Sequence, residues 1–192
     1  MHPLLTHITE QINITETEFA QSLAYFEQVH FKKKALVIRA DELVARQFFV
    51  VKGCLRSYLL DDQNREHTVQ FAIENWWVSD FTAYFTGAKS ILYVECLENC
   101  ELLSIHKNTL EQLYREVPTL EKFFRRKLEN AFVSFQKRII SNLYKTAEER
   151  YQEFMANYPN IEQRVRNYQI ASYLGITPES LSRIRKMRVS NS

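Results

Sequence analysis

Residues 167–188 read N-Y-Q-I-A-S-Y-L-G-I-T-P-E-S-L-S-R-I-R-K-M-R, and this stretch decides how the rest of the chain is organised. It describes two short helices with a sharp turn between them. Asn167 can cap the first helix, because its side-chain oxygen accepts from an unpaired first-turn N–H. Gly175 follows Leu174, where a left-handed residue closes a helix at no steric cost. Thr177 caps the second helix, and Pro178 suits its first position, since the N–H that proline lacks is unpaired there anyway. Ile170, Ala171, Leu174, Ile176, Leu181 and Ile184 supply a small core that fixes the angle between the helices.

The second helix divides by face. At roughly 100° per residue, Leu181 and Ile184 point one way and Glu179, Ser182, Arg183 and Lys186 the other. Such a polar stripe suits base edges: Arg binds guanine O6 and N7 bidentately, and Glu accepts from the cytosine amino group. Arg185 and Arg188 flank the stripe and are expected to meet phosphates, with Thr177 at the helix start. Cap, turn glycine, second cap and split face all agree on a DNA-binding helix-turn-helix, beyond what a solvated helical hairpin requires.

Charge points the same way. The 192 residues carry a net charge of +2, unevenly placed. Residues 161–192 hold Arg164, Arg166, Arg183, Arg185, Lys186 and Arg188 against Glu162 and Glu179, a local +4 that leaves the remainder at −2. A basic end on a slightly acidic body implies a polyanion partner for that end alone. There is no signal-peptide pattern and no apolar run near the ~18 residues that a membrane span needs. A cytoplasmic protein with no membrane partner is expected. Three cysteines give no disulfide framework. Cys96 and Cys100 lack a CxxC pair or a histidine cluster and read as buried thiols; no metal or other cofactor is expected.

Upstream, Thr15 and Glu18 form a capping box for an opening helix over residues 13–27, with Phe19, Leu23 and Phe26 on one face. From Val29 to His106 the period becomes that of strands. Eight short runs, from V-H-F-K-K through F-F-V-V-K to E-L-L-S-I, are separated by turn candidates such as Asp61-Asp62-Gln63-Asn64 and Glu98-Asn99. Eight strands in so short a span imply a sandwich, barrel or jelly roll, which can enclose a small ligand. Pro118 then opens a long helix. Phe124, Leu128, Ala131, Phe135, Ile139 and Asn142/Leu143 keep a 3–4 spacing along it, the form of a coiled-coil seam. A seam suits a helix-turn-helix protein, which commonly works as a dimer with one recognition helix per half-site. A further helix covers residues 145–158, with Ala147, Tyr151, Phe154 and Met155 on its inner face. The expected fold is α+β: a jelly-roll sensor domain (double-stranded β-helix) over 1–117, a dimerisation helix over 118–144 and an all-α helix-turn-helix domain over 145–192.

This order of parts resembles the CRP/FNR family of bacterial transcription regulators over nearly the whole chain. The most specific matches are F-F-V-V-K-G-C-L-R-S-Y (48–58), similar to the family's roll strand with its Lys-Gly turn, and E-S-L-S-R-I-R-K (179–186), similar to its recognition helix. The resemblance implies a homodimer on an inverted repeat of double-stranded DNA, with base contacts from Glu179 and Arg183. It also implies a cyclic-nucleotide-binding-like roll with a small-molecule effector of unknown identity, RNA polymerase as a further partner, and no enzymatic activity. The residue before the Glu is often a DNA-contacting Arg in the family; Pro178 removes that contact.

The ligand cassette departs further. In cyclic-nucleotide-binding members a G-E-L stretch and a later R-S hold the ribose and the cyclic phosphate. Here those positions are Ser79-Asp80-Phe81 and Lys89-Ser90, and the long helix carries Phe135 and Gln136 where cyclic-AMP binders offer Thr-Ser to the purine. Asp is one methylene shorter than Glu, and Lys offers a point charge in place of a planar fork. Cyclic AMP is therefore not expected to bind in the usual way. Phe71, Trp76, Trp77, Phe81, Tyr84 and Phe85 crowd this region; facing a cavity, they would suit an apolar or planar ligand with an anionic end at Lys89. The iron–sulfur chemistry of FNR lacks its N-terminal cysteine cluster. The family's β-wing is expected to be missing after Ser192, weakening DNA affinity and its salt dependence. Two other readings remain. A cupin-type metal enzyme with a DNA-binding appendage has only His67 and His106 in the strand region, and alternation sends Glu66 to the face opposite His67. A roll without any ligand would serve dimerisation alone.

Overall fold

The structure, a computed structural model, describes the backbone of residues 2–190 and the side chains of residues 2–187. Among the described residues there are eight strands: β1 (Glu27–Phe31), β2 (Leu36–Ile38), β3 (Arg46–Lys52), β4 (Leu55–Leu60), β5 (Glu66–Ala72), β6 (Trp77–Val78), β7 (Tyr93–Cys96) and β8 (Cys100–His106). They form two antiparallel sheets, ordered β1-β8-β3-β6 and β2-β7-β4-β5. Alternation along the strands builds three layers of packing from these two sheets. Phe48, Val50, Leu55, Ala72, Val94, Cys96 and Leu102 fill the space between them. Phe49, Leu103 and Ile105 face out of the first sheet, beneath helices.

Those helices are α1 (Pro3–Thr9), α2 (Glu16–Leu23), α3 (Phe81–Thr86), α4 (Lys107–Glu116) and the start of α5 (Thr119–Tyr144); all but α3 lend residues to this outer core. The capping box starts α2 as expected: the Glu18 N–H donates to Thr15 Oγ1 at 3.2 Å, and the Thr15 N–H to Glu18 Oε2 at 2.9 Å. The helix is shorter than its sequence pattern because β1 claims residues from Glu27 onward. α1, α3 and α4 were not foreseen. The first two of these are too short for a helical period to register, and α1 is held by Leu4 and Ile8, both buried. Its His7 lies between the Phe49 and Phe123 rings, at 5.5 and 5.7 Å. Burial, and secondarily Lys127, push the His7 pKa down to about 4.

The Lys-Gly turn after β3 needs its glycine. Gly53 has φ +118, and a Cβ there would come within 2.5 Å of Cys100 Sγ. Cys54, Cys96 and Cys100 are buried free thiols.

α5 packs its first turns on the roll through Leu120, Phe123 and Phe124. This corrects one assignment. Phe124, expected on a dimer seam, is 7% exposed and lies edge-on to Trp77 (4.9 Å) and Tyr114 (5.7 Å), so the protomer itself has used it. Beyond it come α6 (Ala147–Asn157), a 3₁₀ turn (Ile161–Gln163), α7 (Asn167–Leu174) and α8 (Pro178–Ser190). The cap of α7 is Arg166, not Asn167: the Arg166 N–H donates to Gln169 Oε1 at 3.0 Å, and Asn167 is already inside the helix. Gly175 closes α7 with φ +66, the left-handed residue that the sequence calls for.

Tyr151, Phe154, Tyr158, Ile161, Ile170, Leu174, Leu181 and Ile184 form the core of this C-terminal unit. That core runs on into the outer face of the second sheet through Cys54, Phe71 and Leu97.

Candidate nucleic-acid interface

The apolar face of α8 is sealed, with Leu181 and Ile184 buried, while Glu179, Ser182, Arg183 and Lys186 are exposed. Thr177 Oγ1 accepts the Ser180 N–H at 3.2 Å and caps the helix. Arg183 is steadied by a residue that sequence reasoning passed over: its Nη2 donates to Ser180 Oγ at 3.1 Å, one turn back on the same face. The Ser182 hydroxyl donates to the Pro178 carbonyl at 3.0 Å. Hydrogen bonds from its own N–H and from Thr177 hold the Glu179 carboxyl below its ordinary value, with Arg183 adding to the effect. Glu179 is thus an ionised acceptor at neutral pH, presented beside a fixed guanidinium.

Arg185 does not join them. It turns back into the unit, where its Nη2 pairs with Glu162 Oε1, its Nη1 donates to Asn167 Oδ1 at 2.6 Å and its Nε to Tyr151 Oη at 3.3 Å. Being next to buried Ile184, it borders the apolar face and finds acceptors there before it can reach outward. The expected phosphate contact is therefore withdrawn. The Arg188 side chain lies outside the described residues.

After Phe124, α5 leaves the roll with Leu128, Phe135 and Ile139 exposed. Phe132, 69% exposed, and Leu143 continue their line, spaced four, three, four and four residues apart. Phe132 occupies the place that the sequence reading gave to its neighbour Ala131, a small exposed residue with little area to bury. Gln136 is exposed on the same helix.

The cassette positions do come together, but closed. Asp80 caps α3, its Oδ1 accepting the Ala83 N–H at 3.1 Å, and its Oδ2 accepts the Ser90 hydroxyl at 2.8 Å. Ser90 Oγ also accepts the Leu92 N–H, and the Ser79 hydroxyl donates to the Arg46 carbonyl at 2.9 Å. All three side chains are buried. Lys89 is exposed beside them, its backbone bridged to Leu43, and the Phe81 and Phe85 rings stack on each other at 5.9 Å. Phe71 is a second correction. It lies on the outer face of its sheet, 6.0 Å from the Phe154 and Tyr158 rings, because neighbours in a strand alternate and its neighbour Ala72 takes the inner side. Phe135 and Gln136, on the exposed length of α5, do not reach the cassette from within the protomer. A cavity of about 220 Å³ at this end of the roll is lined by Val37, Ile38, Glu42–Arg46, Phe48 and His106, none of them an expected ligand residue. Among the described residues no group of three or more His, Cys, Asp or Glu is arranged to hold a metal ion, and no helix is long and apolar enough to cross a membrane.

The family model for the cyclic nucleotide-binding domain matches residues 28–117, which span all eight strands but for the first residue of β1. The cAMP-activated global transcriptional regulator CRP of Haemophilus influenzae is 22% identical over 202 residues, covering 95% of this chain and 89% of that protein. The whole architecture, roll to helix-turn-helix, recurs in solved structures. The chain has the fold of the CRP/FNR regulators. FixK2 from Bradyrhizobium japonicum superposes with a TM-score of 0.73 at 18% identity, over 86% of this chain and 85% of that one. The c-di-GMP-responsive global regulator CLP of Xanthomonas campestris gives 0.72 at 14%, over 92% and 93%. Residues 79–90 fall inside the matched domain, and the Ser90 hydroxyl there donates to the protein's own Asp80 carboxylate.

Proposed function

We propose that this chain is a CRP/FNR-type regulator, a sequence-specific transcription factor that binds an inverted repeat of duplex DNA as a homodimer. The observation that carries the reading is the divided surface of α8: a sealed apolar side, and an outer side on which Glu179 and Arg183 are held in place by Thr177 and Ser180. Arg183 reads a guanine and Glu179 accepts from a cytosine amino group near it. Lys186, Ser182 and Thr177 border these two, where phosphates pass. Leu128, Phe132, Phe135, Ile139 and Leu143 form the two-fold seam, which sets the two recognition helices about one duplex turn, ~34–36 Å, apart. RNA polymerase is the further partner of such a regulator.

The Haemophilus relative is cAMP-activated and the Xanthomonas one c-di-GMP-responsive. Neither effector is proposed here. A cyclic phosphate would need the Ser90 hydroxyl that Asp80 holds, and would meet a buried carboxylate in return. The test of the DNA reading is selection of random duplexes by wild type and by Arg183→Ala. Wild type should enrich an inverted repeat, and the variant should lose ~1–3 kcal/mol and relax at one base pair per half-site. Identical base preferences in the two proteins would move base reading away from Arg183.

A further inference from the structure

The direction in which each recognition helix faces depends on how the C-terminal unit is fixed to its own roll. The covalent joint between α5 and α6 is only Lys145 and Thr146, both extended, and by itself leaves the unit free to swing. Non-covalent contacts must therefore hold it.

Some of these slide and some do not. The rings of Phe71 and Trp76 on the roll meet Phe154, Tyr158 and Tyr173 of the unit at 5.1–6.0 Å, a contact strong in area but weak in direction. The Ser172 hydroxyl joins the edge of β5, donating to the Glu66 carbonyl at 3.0 Å and accepting the Thr68 N–H at 2.9 Å. Arg164 adds a planar fork. Its Nη1 and Nη2 each donate to Glu74 at 2.8 Å, and Nη2 also pairs with Glu98. A bidentate guanidinium–carboxylate pair fixes orientation as well as distance. Both carboxylates are anchored: Glu74 Oε1 also accepts the N–H of Gly53, and Glu98 sits in the short link from β7 to β8. Burial pushes the Glu74 carboxyl up, yet the hydrogen bonds from Arg164 and Gly53 outweigh it and leave the group below its ordinary value. The three side chains are 21–38% exposed, so solvent screens the charges and the energy gained is modest. What the fork supplies is angle.

Two residues before Arg164, on the 3₁₀ turn that Arg164 closes, Glu162 pairs with Arg185 of α8. This short segment therefore grips the recognition helix with one side chain and the roll with another. We propose that Arg164 is a positioning residue for half-site spacing, coupling the recognition helix through Glu162 to the roll through Glu74 and Glu98. This rests on the reading of a two-fold dimer on an inverted repeat. A one-base-pair change in the spacer moves a half-site by ~3.4 Å along the duplex. A held unit cannot follow that shift, and a loosened one can.

The experiment uses the full-length protein, the half-site that wild type selects, and a duplex pool in which the spacer changes by single base pairs. Wild type should disfavour a one-base-pair change by about tenfold or more, the cost of a lost base contact. Arg164→Ala should cut that discrimination to about twofold, with base preference and salt slope unchanged, and Arg164→Lys should fall between, having charge without a fork. Arg164→Glu should behave like the alanine variant, and Arg164→Glu with Glu74→Arg should regain discrimination. Wild-type spacing discrimination in Arg164→Ala overturns the proposal. So does joint loss of spacing and base preference that Glu74→Arg does not rescue, because Arg164 would then only keep the unit folded. If wild type enriches half-sites with no preferred spacing, the two-fold reading itself fails, an outcome distinct from both.

Discussion

Phe132→Ala separates the seam from the protomer's own core. Burying a whole Phe side chain is worth ~1.5–3 kcal/mol. With 69% of Phe132 exposed in the protomer, sealing it in a seam recovers about two-thirds of that, ~1–2 kcal/mol. Two-fold symmetry counts the residue twice, so its loss should cost the dimer ~2–4 kcal/mol, roughly 30- to 1,000-fold in Kd. Phe124 has the opposite profile. Only 7% exposed, it has almost nothing left to offer a partner, but Phe124→Ala would open the core against Trp77 and Tyr114 at ~3–5 kcal/mol of fold stability. Sedimentation equilibrium over a dilution series reads the first effect and urea unfolding the second. Phe132→Ala should be a folded protein that dissociates at higher concentration, and Phe124→Ala a destabilised one. If Phe132→Ala kept the wild-type Kd while Phe124→Ala became a well-folded monomer, the faces of α5 would have been assigned the wrong way round.

Two further substitutions follow from groups turned inward. Arg185→Ala should lower the stability of the C-terminal unit by ~1–2 kcal/mol, since Glu162, Asn167 and Tyr151 each lose a donor, and should leave the salt slope of DNA binding unchanged; a slope smaller by about one would make it a phosphate contact after all. His7 is neutral when folded down to about 4, whereas the unfolded chain takes up the proton near ~6.5. Its contribution is whole above the unfolded value and is lost as pH falls from there toward 4, so the stability of wild type relative to His7→Phe should drop across that window in urea melts. Parallel profiles for the two would contradict a half-buried imidazole held neutral.

What could be read in the sequence shares one property: its cause is local. Thr15 and Glu18, or Leu174, Gly175 and Thr177, interact within a few residues, and the capping box, the left-handed closure and the second cap all form where the sequence places them. Strand alternation is equally local and yields eight strands in two sheets. Arg164 and Ser172 carry no such signal. Their partners, Glu74, Glu98 and Glu66, lie more than sixty positions away, and before folding an arginine that will dock a domain looks like one that will meet solvent or DNA. Arg185 finds its acceptors inside its own unit, 18 to 34 positions away, still beyond the reach of a local reading.

α5 shows the same boundary inside a single helix. At roughly 100° per residue Phe124 and Phe132 point ~80° apart, adjacent quadrants that merge into one broad apolar stripe when only periodicity is counted. The period stays the same where the helix leaves the roll, although packing on its own protomer gives way there to the face that we propose meets a second copy. Only the roll's outer surface, with Trp77 against Phe124, shows where the first partner ends. The apolar residues beyond that point are only partly covered within the protomer: Leu128, Phe132, Phe135, Ile139 and Leu143 remain 45–81% exposed along about four turns. A stripe of that length left in water is costly for a monomer, which is why the same helix that closes the roll's core also argues for a second chain.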